Sequence, residues 1–251
     1  MNNIKITIIR KSNLINYNVN FRIMSEIIPD ILKQYIPKDI KKRYALLIKE
    51  PLYYKEYVNI IEAIHFGIYK EEDERWEVYL VIENKFPDLQ GLDGIIITGS
   101  SNTVYDLSED WKEPLFMFLR EANKLKIKIF GHQVLAHCLG GETQKMIYVN
   151  RLQVGRTVIQ TQLKWKNYLI KNLNVYQIHG DYVNCQNVLN DHILGVQFHP
   201  EFNALILLYI FRNSSDPLRD IYMKDCYESF KDGYDHQQII WEFTNNFLKN
   251  K

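Results

Sequence analysis

Residues 126–141 read KIKIFGHQVLAHCLGG. The apolar, β-branched run Ile127–Phe130 passes without a linker into Gln133–Leu139, which has helical character and stops at Gly140-Gly141. A strand that runs into a helix through one glycine is the junction from which α/β sheets are built. Upstream, Gly94–Thr98 (GIIIT) is a strand with no polar alternation, as expected of one covered on both faces. Between the two, Trp111–Lys124 has helical spacing, with Leu115, Phe116, Phe118, Leu119 and Ala122 on one side. Tyr44–Ile48 and Trp76–Ile82 are further strands, joined through a helical segment at Glu56–Ile68.

Later strands are expected at Val154–Thr161, Asn174–His179 and Ile193–Phe198, with a closing helix at Gln237–Lys249. Alternating strands and helices require crossover connections and therefore a mostly parallel sheet. The expected fold is a doubly wound, flavodoxin-like α/β domain over residues 44–251, with helices on both faces. Ligands in such sheets gather beyond the carboxyl ends of the strands.

Composition narrows the function. With 46% hydrophobic residues and 31 Lys+Arg against 30 Asp+Glu, the chain can bury a large core and presents no net field toward nucleic acid or a membrane. No apolar run approaches the ~20 residues needed to cross a bilayer. Three cysteines do not make a disulfide framework, which with the absence of a secretory signal pattern points to a reducing, cytoplasmic setting. Residues 1–43 are basic, nine Lys/Arg against three Asp/Glu. They read as an N-terminal extension with a short helix at Ser25–Ile36 closed by Pro37, rather than as a transit peptide, Arg and Ser being sparse. The seven histidines and three cysteines show no C-x-x-C or H-x-x-x-H spacing, so no metal or other cofactor is expected. Neither a Walker lysine nor a G-x-G-x-x-G is present, which speaks against a nucleotide-binding domain.

Four junctions hold candidate site residues. Gly99 and Ser100 follow the GIIIT strand, where a glycine lets backbone N–H groups turn toward an oxyanion, or simply makes a turn. His132 and Gln133 open the short helix, either as a site at a helix N-terminus or as helix caps. His179 and Asp181 flank Gly180 at a strand end, as polar site groups or as a turn held by Asp181. In Val196–Phe202 (VQFHPEF), His199 ends an apolar strand and Glu201 follows two residues later. A base oriented by a nearby acid is the arrangement of nucleophilic catalysis, with a structural histidine as the alternative.

Taken together, DGIIITGS, GHQVLAHCLGG, HGD and GVQFHPEF, in that order over about residues 43–205, resemble the class I glutamine amidotransferase domains with their Cys-His-Glu triad. KRYALLI and DERWEVYLV are similar to the γ-glutamyl peptidase branch, whose members hydrolyse γ-glutamyl bonds in glutathione-like peptides. The resemblance implies His199 as general base and Glu201 as its orienter. It also implies an oxyanion loop at Gly99 and Ser100, a glutamyl pocket flanked by His132 and Gln133, and a nearby loop holding His179 and Asp181. It implies a small γ-glutamyl substrate, no cofactor, and a synthetase or other protein as a possible partner.

The nucleophile departs from the pattern. The family phrase is G-x-C-x-G-H-Q, and this chain reads Ile127-Lys128-Ile129-Phe130-Gly131-His132-Gln133. Aligned without a gap, Ile129 replaces the cysteine; aligned with Phe130-Gly131 as the strand end, four residues including the cysteine are absent. Cys138, six residues beyond His132, falls roughly 9 Å along the helix. Cys185 follows the HGD turn and reaches the crevice only if its loop folds inward; Cys226 has no motif beside it. Only 13 residues separate Asp181 from Gly195, a further shortening relative to the family. Two expectations follow: a γ-glutamyl amide hydrolase whose thiol is missing from this sequence, through a lost stretch of the gene product, or a non-catalytic relative that binds γ-glutamyl compounds or a partner protein.

Overall fold

The computed structural model describes residues 4–10, 13–19, 40–49, 55–100, 102–105, 109–146, 152–166, 168–183, 187–231 and 236–250. β1 (Ile4–Arg10) and β2 (Asn13–Val19) pair as an antiparallel hairpin, Ile4 opposite Val19. The helix expected at Ser25–Ile36 lies outside the described residues.

From Lys42 the α/β pattern follows the sequence reading closely. β3 (Lys42–Ile48) leads through α1 (Lys55–Tyr69) to β4 (Glu74–Leu80). β5 (Gly94–Ile97) leads through α2 (Lys112–Lys124) to β6 (Lys128–Gly131), which enters α3 (Gln133–Cys138) after one residue. Then come β7 (Thr143–Lys145), β8 (Gln153–Trp165), β9 (Tyr168–His179), β10 (Asp181–Val183), β11 (Asn187–Leu189) and β12 (Ile193–Val196). α4 (Ala204–Arg212), α5 (Arg219–Phe230) and α6 (Gln237–Lys249) close the chain.

The main sheet has the order β11-β12-β6-β5-β3-β4, and all its pairings are parallel except that of the edge strand β11. Successive side chains of a strand point to opposite faces, and both faces are covered. Tyr44, Leu46, Ile48, Ile96 and Phe130 face one core, formed with α1, α4, α5, α6 and the β8-β9 hairpin. Ala45, Leu47, Ile95, Ile97 and Ile129 face the other, formed with α2 and α3. This is the doubly wound architecture, and it explains the unbroken isoleucine run of β5. Each such side chain, fully buried, contributes about 1.5–3 kcal/mol.

Two features were not legible beforehand. Val154–Thr161 and Asn174–His179 are parts of longer strands, β8 and β9, which form a separate antiparallel ribbon rather than joining the main sheet. The ribbon is held from below by Leu173 and Val175, buried in the first core, and from α5 by Ser229, whose hydroxyl accepts from the Arg156 amide. α5 escaped the periodicity reading because of its apolar residues only Tyr222 and Cys226, one turn apart, are buried, while Ile221 and Tyr227 face outward.

The C-terminal helix is anchored at its last turn. Lys249 Nζ lies 2.5 Å from Glu74 Oε1 and 3.5 Å from Glu71 Oε1, with the Lys249 and Glu74 side chains each 3% exposed. The ammonium also donates to the Tyr69 carbonyl and sits over the Tyr44 ring. Among the described residues no helix is long and apolar enough to cross a membrane.

Candidate functional site

Three adjacent parallel strands, β5, β6 and β12, end side by side, and the segments after them supply the site. After β12 the chain makes the turn His199-Pro200-Glu201. The His199 amide donates to the Tyr176 carbonyl of β9 at 2.9 Å, and the Phe202 amide donates back to the His199 carbonyl at 3.2 Å. The Pro200 carbonyl accepts from Trp241 Nε1 at 2.5 Å and from Gln237 Nε2, so α6 clamps the turn from outside. Asn203 caps α4 by accepting from the Ile206 amide. With its backbone so fixed, the turn lays the His199 ring flat on Phe202, centroids 4.2 Å apart at 9°.

His199 Nδ1 and Glu201 Oε1 are 2.7 Å apart, a buried histidine–carboxylate hydrogen bond. Burial pushes the Glu201 carboxyl up, but the charge and hydrogen bond of His199, helped by His132 and His65, more than offset it, and it is held down to about 2. Glu201 is therefore an anion 3% exposed. Its second oxygen, Oε2, is buried without a hydrogen-bond partner.

His132 stands at the corner between β6 and α3, with φ −108° and ψ −153°. Its side chain does not cap the helix. It is turned inward instead, 2% exposed, with its ring centroid 4.7 Å from that of His199 and its Nε2 3.9 Å from Glu201 Oε1. Burial first, then the neighbouring charge of His199, lowers His132 to about 3, so it is a neutral imidazole at ordinary pH. Gln133, the first residue of α3, is half-buried.

The loop after β5 meets the same place. A Cβ at Gly99 would lie 3.0 Å from His199 Cε1, so the missing side chain is what lets the loop approach the ring. The loop is braced against the end of β3: the Lys49 amide donates to Thr98 Oγ1, Thr98 Oγ1 donates to the Gly99 carbonyl, and Ser100 Oγ donates to the Lys49 carbonyl. His179, at the end of β9, is lowered to about 4 by burial and by the charge of His199. Asp181 accepts from the Tyr105 hydroxyl at 2.9 Å, and burial raises its carboxyl above the ordinary range. Its strand β10 pairs with β7 in a small ribbon of its own.

Two neighbours of this cluster were missed by sequence reasoning. His65, on α1, is buried with Nδ1 2.7 Å from the Ile61 carbonyl, and its charge state is coupled to those of Glu201 and His199. Its signal was a histidine sharing a helical face with Ile61 and Ile68. Lys49, buried at the end of β3, bears electrostatically on His132.

The structure decides between the two alignments of the nucleophile region. Ile129 lies mid-strand in β6, paired with Ile95 and Ile193 and buried under α2 and α3. It is not at the corner; His132 is. The described cysteines stand apart. Cys138 Sγ donates to the Phe116 carbonyl under α2, and burial pushes its thiol up to about 11. Cys226 lies in the opposite core at about 12, for the same reason. Neither has the low-pKa setting of a reactive thiol. Cys185 lies outside the described residues.

Comparison with known proteins agrees with this fold. No family model matches the chain. It is 27% identical over 243 residues to γ-glutamyl peptidase 2 of Arabidopsis thaliana, covering 84% of this chain and 97% of that one. It is likewise 27% identical over 246 residues to γ-glutamyl peptidase 5 of the same plant, again with 84% and 97% covered. Among solved structures it is similar to a glutamine amidotransferase from Thermotoga maritima, TM-score 0.60 at 15% identity over 82% of this chain and 96% of that one. A second, from Methylobacillus flagellatus, gives TM-score 0.55 at 14% identity over 84% and 94%. The fold is the doubly wound α/β fold of the class I glutamine amidotransferases. In sequence it is similar to the γ-glutamyl peptidases.

Proposed function

We propose that this chain recognises a γ-glutamyl compound, such as glutamine or a glutathione-like peptide, beyond the ends of β5, β6 and β12, and holds it without forming a thioester. The names of the relatives support the ligand class. The observation that carries the second half is the strand–helix corner: a neutral, buried imidazole, His132, stands there, and the two described thiols are buried in other packing layers. A carbon–nitrogen amide bond is not opened by acyl transfer without a nucleophile on the attacking side. In this reading the Gly99 loop faces the ligand carbonyl, and Gln133 and Asp181 contact its polar ends. A cytoplasmic location belongs to the same proposal, supported by the described Cys138 and Cys226 being free thiols; a protein partner belongs to it on the family resemblance alone.

A second reading is favoured by one observation. The 2.7 Å His199–Glu201 pair is a proton-handling device, which a simple binder does not need. Here His199 takes a proton from an attacking group and passes it to the leaving amine, while Glu201 holds the ring and stabilises the imidazolium. Calorimetry with glutamine and with glutathione, run beside an assay for released ammonia or glutamate, separates the two. Heat of binding without product supports the first. Product above a His199→Ala control supports the second, and its loss in Cys185→Ala would assign the nucleophile. Neither heat nor product would overturn both.

A further inference from the structure

His132, His199 and Glu201 each offer a ligand atom, and those three atoms lie within 4.8 Å of one another although the residues are spread over 70 positions of the chain. All three side chains are buried. The cluster is also under-satisfied. Glu201 Oε2 and His132 Nδ1 are buried polar atoms with no hydrogen-bond partner, and His132 Nε2 is beyond hydrogen-bonding distance of the carboxylate at 3.9 Å. Buried polar atoms are nearly always paired, because leaving one unpaired costs about 1–3 kcal/mol. The open acceptor on Glu201 therefore asks for a partner. The donors say which kind: two imidazole nitrogens and a carboxylate oxygen gathered in one buried place are a set that takes a cation.

We propose that His132, His199 and Glu201 form a binding site for a divalent d-block cation, with zinc the best fit. Two imidazoles and one carboxylate are ligands of intermediate softness that suit zinc, whereas calcium and magnesium select all-oxygen sets. A tetrahedral zinc with bonds of about 2.0–2.1 Å holds its ligand atoms about 3.3 Å apart. The 2.7 and 3.9 Å separations on Glu201 Oε1 bracket that value and all three ligand atoms lie within 4.8 Å of one another, so a cation would take the place of the His199–Glu201 hydrogen bond. Three protein ligands leave the fourth position open to water or to a ligand carboxylate, as in zinc sites that do chemistry. The site depends on His132 occupying the strand–helix corner and on its ring turning inward instead of capping α3.

The test uses the full chain, tag-free and stripped with a chelator, and needs no γ-glutamyl compound. Zinc is titrated against a chromophoric competitor, the metal content is counted by elemental analysis, and cobalt is added as a spectroscopic substitute. The expected result is one zinc per chain and the intense visible absorption of four-coordinate cobalt. Glu201→Gln and His132→Gln, each checked for folding by circular dichroism, should weaken zinc at least about ten-fold, the lower end of what losing even an outer partner of a metal ligand does. No stoichiometric zinc, a weak octahedral cobalt spectrum in the wild-type chain, or an affinity untouched in both folded variants would overturn the proposal. The cobalt spectrum decides the matter even if the variants unfold. A chain that binds glutathione but no zinc refutes this inference alone, and one that binds zinc but no γ-glutamyl compound refutes only the earlier reading.

Discussion

Acid should unfold this protein from inside the site, before its carboxylates titrate. His132 and His179 are held at about 3 and about 4 against an ordinary histidine value of 6.5, mainly because burial disfavours the imidazolium. Above pH 6.5 both rings are neutral in the folded and unfolded chain and contribute nothing to the pH dependence. Below it the unfolded chain takes up the protons and the folded chain does not, so stability falls by about 1.4 kcal/mol per pH unit for each ring. Between about pH 6.5 and 5 that amounts to about 2 kcal/mol each, about 4 together, against a typical total of 5–15 kcal/mol. Glu201 acts in a separate, lower window. Its depressed value contributes stability that is fully present above about 4.5 and is lost as pH falls toward about 2. The assay is urea unfolding followed by tryptophan fluorescence at stepped pH, with a chelator in every buffer. His132→Gln removes one contributor, His65, His137 and His192 being lowered by burial as well, and should reduce the loss between about pH 7.5 and 5 by about 2 kcal/mol. A stability that changes by less than about 1 kcal/mol over that range, or a slope that His132→Gln leaves unaltered, would refute the claim that these imidazoles are buried neutral.

Lys249→Met should destabilise the fold by about 3–5 kcal/mol, because it leaves Glu74 as an unpaired buried anion; adding Glu74→Gln should recover part of the loss in the same denaturation assay. Gly155 has φ +101°, and a Cβ there would meet Ser229 Oγ at 2.4 Å, so Gly155→Ala should lower stability by at least about 1 kcal/mol and loosen α5 from β8. Gly99→Ala should leave the melting temperature nearly unchanged while displacing the His199 ring, read as weaker glutathione binding in calorimetry. Ile129→Cys should not restore hydrolysis, since that side chain points under α2 and α3; ammonia release from this variant would show that the corner is misplaced.

Much of the fold was legible because its signals are local. GIIIT announced a strand buried on both faces, and the passage from Ile127–Phe130 into Gln133 announced the junction that became β6 and α3. The closing helix at Gln237–Lys249 was read to its exact ends from the spacing of Ile239, Ile240, Phe243 and Phe247. The β8-β9 ribbon was not, because a strand's apolar pattern does not say which partner it pairs with. Sequence order alone also named His199 and Glu201 as neighbours, since two residues in one tight turn cannot be far apart.

What no spacing rule could supply is the company these two keep. His132 comes 67 residues before His199 and His65 lies on α1, yet parallel pairing of β12, β6 and β5 brings their ends to one rim. Chain connectivity thus determined the layers, the strand–helix corners and the lack of a thiol in the corner phrase. Only the packed structure decided that an imidazole fills that corner, turned toward a buried carboxylate with an unpaired oxygen, because side-chain direction and desolvation are set by neighbours distant in sequence.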